Sequence, residues 1–269
     1  MSLIIFTELD EILFSACESE RELLTATIHK LQQKQIPLIT ISGKTRVEVE
    51  DWRRQFELDS PFVVERGSGV FIPQANSHFK TTDTSKRDSY HLYQLGCNYT
   101  EARAALKAVQ EDISKILRGF GDMDESNIQS LIVGSQAAAR KAKAREFSEY
   151  FLTPSRLEIE QLQEVAAEYG FKILPGDSLS LMLGAGADEA KIVDLLKQRY
   201  INSEQDIKTV GLGSSKENLA ILETVDIPVF VPASSEVASD YDGKNQQVAS
   251  NPGILGWAES IKQICQQHL

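Results

Sequence analysis

One stretch constrains the fold of this chain more than any other: Leu3-Ile4-Ile5-Phe6-Thr7-Glu8-Leu9-Asp10-Glu11, close to its start. Four apolar residues in succession read as a strand buried on both faces, the kind found inside a parallel sheet covered by helices. Carboxylates follow at once. In an open α/β sheet, ligands bind outside the carboxyl ends of the strands, so Glu8 and Asp10 are expected to face a site.

The chain then repeats that rhythm. Ser19-Glu20-Arg21-Glu22 reads as a capping box, with Leu24, Ile28 and Leu31 as the buried stripe of a helix. Ile36 to Ile41 is a second strand, ending at Ser42-Gly43-Lys44-Thr45, and a helix with Val47, Val49, Trp52 and Phe56 follows. Phe62-Val63-Val64 is a third strand, and Gly67-Ser68-Gly69 turns into Val70-Phe71-Ile72. Alternating strands and helices argue for a parallel sheet with right-handed crossovers. From Pro73 to Ser89 the composition turns polar, as in a connection between domains.

The middle of the chain has a different logic. Tyr99 to Leu117 is expected to be one helix, with Ala102, Leu106, Val109, Ile113 and Ile116 on its buried side. Asp124 or Ser126 caps a short helix, and Ser155-Arg156-Leu157-Glu158 caps another that stops at Gly170. Phe171 to Leu174 and Ser178 to Leu183 form a hairpin around Pro175-Gly176-Asp177. The α/β rhythm returns with a helix from Asp188, a strand over Ile207–Gly213, a short helix over Ala220–Thr224, a strand over Ile227–Val231 and a final helix from Trp257. The predicted architecture is an α/β protein: a Rossmann-like parallel-sheet core over 1–82 and 186–269, with an inserted α+β cap over 83–185.

Composition narrows the function. At 269 residues, with 42% hydrophobic and 25% charged residues, the chain suits two packed domains. A net charge of −11 argues against nucleic acid or an anionic membrane as main partner. No 18-residue apolar run and no basic-then-apolar leader pattern occur, so neither spanning nor secretion is expected. Cys17, Cys97 and Cys265 are few and widely spaced, which fits a reducing cytoplasm. His29, His78, His91 and His268 have no metal-ligand spacing.

With these pieces placed, the chain resembles the haloacid-dehalogenase superfamily, and within it the mannosyl-3-phosphoglycerate phosphatase branch. Glu8-Leu9-Asp10-Glu11-Ile12 stands where the family has Asp-x-Asp-Gly-Thr. Ser42-Gly43-Lys44-Thr45 matches the second motif, and Glu65-Arg66-Gly67-Ser68-Gly69-Val70-Phe71-Ile72-Pro73 matches a Glu-Asn-Gly element. Arg118-Gly119-Phe120-Gly121-Asp122-Met123 and Arg145-Glu146-Phe147-Ser148-Glu149 resemble cap segments of the branch. Gly184-Ala185-Gly186-Ala187-Asp188 and Pro252 with Gly256-Trp257 add two more. The resemblance implies a nucleophile at Glu8, a general acid/base at Asp10, phosphoryl contacts at Ser42 and at Glu189, and Mg2+ held at Glu8, Asp10, Ser214 and Asn218. Lys44, Arg66, Arg145 and Lys191 are the candidate substrate-binding residues, Arg145 for bidentate capture of a carboxylate or phosphate or for a salt bridge.

All four catalytic motifs carry a change, the second having Gly43 where the branch has Ser, while the cap segments persist. Glu8 replaces the nucleophilic Asp, and a carboxylate displaced by ~1 Å costs on the order of 100-fold. Glu11 replaces Gly and Ile12 a hydroxyl residue. Asp188-Glu189-Ala190 stands for Asp-Lys-Gly, so the phosphate-holding lysine becomes Glu189. Gly213-Ser214-Ser215-Lys216-Glu217-Asn218 stands for Gly-Asp-Ser-x-Asn-Asp, so the metal-binding acids become Ser214 and Asn218. A dianionic phosphoryl group approaches a carboxylate only when positive charge screens both. Like charges ~4 Å apart repel by roughly 4 kcal/mol at an effective dielectric of about 20, so a cleft holding Glu8, Asp10, Glu11, Glu189 and Glu217 opposes such a ligand. Lys44, Lys191 or Lys216 is the candidate for restoring positive charge, with Lys216 expected to pair with Glu8 or Asp10. The altered motifs weaken the Mg2+ site that the resemblance implies. The expected function is a pseudophosphatase that binds a sugar-phosphate-like small molecule or a protein. The alternatives are a Mg-dependent phosphatase acting on mannosyl-3-phosphoglycerate or a related glycosyl phosphate, and a protein assembly factor.

Overall fold

The computed structural model describes residues 2–14, 16–201, 206–215, 219–234 and 247–268. Strand β1 (Ser2–Glu8) is buried from Leu3 to Glu8, as its unbroken apolar run requires. Helix α1 (Glu18–Gln33) buries Leu24, Ile28 and Leu31. Its cap lies two residues before the expected one: Cys17 is the N-cap, and the Glu20 carboxylate accepts the Cys17 N–H at 2.9 Å. Then come β2 (Leu38–Ile41), α2 (Arg46–Arg54), β3 (Phe62–Val64), β4 (Gly69–Pro73), β5 (Ser85–Arg87) and β6 (Tyr90–Gln94).

An inserted unit follows. It comprises α3 (Tyr99–Asp112), α4 (Glu125–Ile132), α5 (Gln136–Lys143), β7 (Ser148–Leu152), α6 (Arg156–Glu168), β8 (Phe171–Leu174) and β9 (Leu179–Gly184). The three strands form an antiparallel sheet in the order β7-β9-β8. Helix α3 ends earlier than its apolar spacing predicts. Ser114 takes φ 53°, which turns the chain out of the helix, so Ile116 is 89% exposed instead of joining the buried stripe. Val109 and Leu106 remain buried against Phe151, Leu162 and Met182.

The chain returns through α7 (Glu189–Arg199), β10 (Ile207–Gly213), α8 (Leu219–Thr224), β11 (Ile227–Phe230), β12 (Gln247–Val248) and α9 (Gly253–His268). Among the described residues the large sheet runs β12-β11-β10-β1-β2-β3-β4-β6-β5. Its first six strands are parallel; β4, β6 and β5 are antiparallel. Residues 85–94, which the sequence places in the insert, thus pair with the large sheet. Ser85-Lys86-Arg87 is exposed throughout because it is the sheet's edge, where charge discourages further pairing. Helices cover both faces: Trp257 of α9 is fully buried, and its indole N–H donates to Thr7 Oγ1 on β1 at 3.0 Å.

Candidate active site

Strand β1 lies between β10 and β2, all parallel, so their carboxyl ends open on one edge where the strand order reverses. Glu8 ends β1, Ser42 follows β2 and Ser214 follows β10. Glu8 is 4% exposed. One of its oxygens accepts the Glu11 N–H at 2.7 Å, and the other lies 3.1 Å from Ser214 Oγ, which is also 2.8 Å from the Glu11 carboxylate. A hydroxyl carries one proton, so Ser214 serves both acids only when one brings its own. Glu8 is that acid. Burial first, then the Asp10 and Glu11 charges, push its pKa up to about 7, against the lowering by the Glu11 N–H and Ser214 bonds.

Asp10 is held differently. Its Oδ1 accepts from Ser42 Oγ at 2.5 Å and its Oδ2 from the Gly43 N–H at 2.8 Å. Lys44 N–H donates to Ser42 Oγ at 3.0 Å, which directs the serine proton at Asp10. The loop after β2 therefore seats a carboxylate between a hydroxyl and a backbone N–H, as it would seat any oxyanion. A Cβ at Gly43 would come within 2.9 Å of Arg66 Nε and 3.3 Å of Asp10 Oδ2, so glycine permits that approach. The Lys44 ammonium lies 5.1 Å over the Phe14 ring.

The inserted unit closes over this edge. Glu65, fully buried, accepts the Glu146 and Phe147 N–H groups at 2.8 and 3.1 Å and the Ser148 hydroxyl at 2.5 Å. Arg145 Nε lies 3.4 Å from Glu65 and donates to Ser148 Oγ at 2.7 Å; Nη2 donates to the Gly43 carbonyl at 3.0 Å. The same guanidinium stands 4.5 Å over the Tyr150 ring. Arg46 on α2 reinforces the contact through Glu146 at 2.6 Å. Beside this junction opens a cleft of about 550 Å³, lined by Arg66, Asp188 and Glu189 on one side and Tyr150, Lys172 and Leu181 on the other.

The structure thus gathers Glu8, Asp10, Ser42 and Ser214 at one edge, with Arg66 and Glu189 in the adjoining cleft wall. Lys191 lies on the helix surface, its side chain 67% exposed and 3.5 Å from Asp188. Gly67 is required where it is. Its φ is +81°, and a Cβ there would come within 2.8 Å of the Asp188 and Glu189 backbone. Lys216, Glu217 and Asn218 lie outside the described residues. Glu65, Tyr150 and Lys172 enter the site without having been given a role there from the sequence. The one available signal was Glu65, an acid closing an apolar strand, which demands buried partners.

The described residues do not fit a ready-made magnesium site. Ser214 offers a neutral oxygen where the resemblance implies an acid, and among the described residues no three acids, histidines or cysteines converge on a point that could hold a metal ion. No helix among the described residues is long and apolar enough to cross a membrane.

No family model matches the chain. A glucosyl-3-phosphoglycerate/mannosyl-3-phosphoglycerate phosphatase of Persephonella marina is 30% identical over 263 residues, 97% of each chain. A protein of the same name from Methanococcoides burtonii is 29% identical, covering 98% of this chain and 97% of its own. A haloacid dehalogenase-like hydrolase of Bacteroides thetaiotaomicron shares the fold, with a TM-score of 0.63 at 12% identity over 98% of this chain and all of the other.

Proposed function

This chain belongs to the mannosyl-3-phosphoglycerate phosphatase branch of the haloacid-dehalogenase superfamily, and from that premise we propose that it binds a phosphorylated sugar acid in the core–cap cleft with little or no phosphoryl transfer. One observation carries the reading: the Asp10 carboxylate takes both donors, Ser42 Oγ and Gly43 N–H, that a phosphoryl oxygen needs. An incoming phosphate must displace an anion already inside the protein. Glu8 adds to this. With its pKa near 7 and its oxygens bonded to Glu11 N–H and Ser214, it stands largely neutral below that pH, and a protonated carboxyl is no nucleophile. Arg66, Tyr150 and Lys172 in the cleft wall supply cations and a ring face for an acidic, hydroxylated ligand.

The test is phosphate release from glucosyl-3-phosphoglycerate and mannosyl-3-phosphoglycerate with and without Mg2+, beside calorimetric binding of the same compounds. Binding without release supports the proposal. Turnover at about 1 s⁻¹ or faster, abolished by Glu8→Ala, overturns it in favour of a working phosphatase.

A further inference from the structure

We propose that Arg145 is a positioning residue: from the cap, it sets the direction in which the Ser42 hydroxyl points. Four groups form an unbroken line. Arg145 Nη2 donates to the Gly43 carbonyl at 3.0 Å; the N–H of the same peptide unit, on Lys44, donates to Ser42 Oγ at 3.0 Å; and Ser42 Oγ donates to Asp10 Oδ1 at 2.5 Å.

The direction follows from proton counting. Guanidinium is a donor only, so opposite it the Gly43–Lys44 peptide must present its carbonyl. In a trans peptide the N–H points the other way, here at Ser42. Ser42 Oγ therefore accepts from Lys44, and its single proton is left for the anion seat that Asp10 fills. Were this peptide to turn over, a carbonyl would face Ser42 and draw the hydroxyl proton away from the seat. Glycine at 43 makes that turn conformationally cheap, so the orientation needs an outside hold. Arg145 supplies it with a charged donor, whose bonds are the stronger kind and polarise the bonds beyond them.

Arg145 is itself fixed. Its side chain is 1% exposed, 3.4 Å from the buried Glu65 carboxylate, bonded to Ser148 Oγ and lodged over Tyr150. Glu65 in turn ties down the backbone of Glu146 and Phe147. The insert and the anion seat are thereby coupled through one peptide bond, without Arg145 meeting the ligand. That Ser42 and Gly43 receive a phosphoryl oxygen rests on the proposed function; the peptide's orientation does not.

The experiment compares wild type, Arg145→Lys, Arg145→Met and the double variant Glu65→Gln/Arg145→Met, which removes the carboxylate stranded by loss of the arginine. Amide NMR follows Gly43 and Lys44, and inorganic phosphate is the binding probe. In the folded Met variant, or in the double variant if the single one fails to fold, the Lys44 N–H should exchange roughly 10- to 100-fold faster, as loss of a charge-assisted bond implies. Phosphate affinity should fall by a similar factor, and Arg145→Lys should recover part of both. A Lys44 amide unchanged in exchange and chemical shift overturns the inference. If wild type binds no phosphate, the proposed function fails while the Lys44 amide still decides this one.

Discussion

Replacing Glu8 by Gln should stabilise the protein at alkaline pH and leave it nearly unchanged in acid. Glu8 has a folded-state pKa of about 7 against an ordinary 4.5, with burial as the main cause. Between those values the folded protein holds a proton that the unfolded chain has released. Raising the pH therefore favours unfolding, and stability present below pH 4.5 is lost as pH rises through about 7. At about 1.4 kcal/mol per pH unit, the whole interval amounts to about 3 kcal/mol. Gln imitates the protonated acid. Its oxygen can accept the Glu11 N–H and its amide can donate to Ser214 Oγ, which then donates to Glu11. The assay is urea unfolding of both proteins in EDTA from pH 4.5 to 8.5. Taking the difference between them cancels the titrating groups that are not coupled to Glu8, leaving Glu8 with its neighbours Asp10 and Glu11. That difference should grow by about 3 kcal/mol in favour of Gln and level off above pH 7. A difference independent of pH would refute the proton count at Ser214.

Three further outcomes are expected. Trp257→Ala removes a fully buried ring and leaves Thr7 Oγ1 without its donor, so it should cost about 3–5 kcal/mol in urea unfolding. Gly67→Ala combines a left-handed backbone with contact against Asp188 and Glu189; a loss of about 2–4 kcal/mol should appear in the same measurement. Glu146→Ala breaks the partly buried pair with Arg46, and hydrogen exchange should quicken by roughly tenfold at the amides of 146–148, with a smaller effect within the three-stranded sheet.

How far the sequence reveals this molecule depends on the range of the interactions that decide each part. β1 and the helix stripes are legible because burial on one or both faces writes a local period, and the hairpin of β8 and β9 because a Pro-Gly-Asp turn joins two short runs. Edge position erases that writing: β5 is exposed along its length, so its residues look like a linker although they extend the large sheet. At the site, Glu8, Asp10 and Ser42 are legible as strand-end groups, and Lys191 near Asp188 follows from helical spacing. The hold on the anion seat is not legible in this way. Arg145 meets Gly43 across 102 residues and lies against Glu65 at a distant strand end, and in sequence Arg145 does not differ from a solvated charge. Burial is what separates the two readings. A guanidinium with 1% of its side chain exposed must have its charge answered inside, and here a carboxylate, a hydroxyl, a carbonyl and a ring answer it.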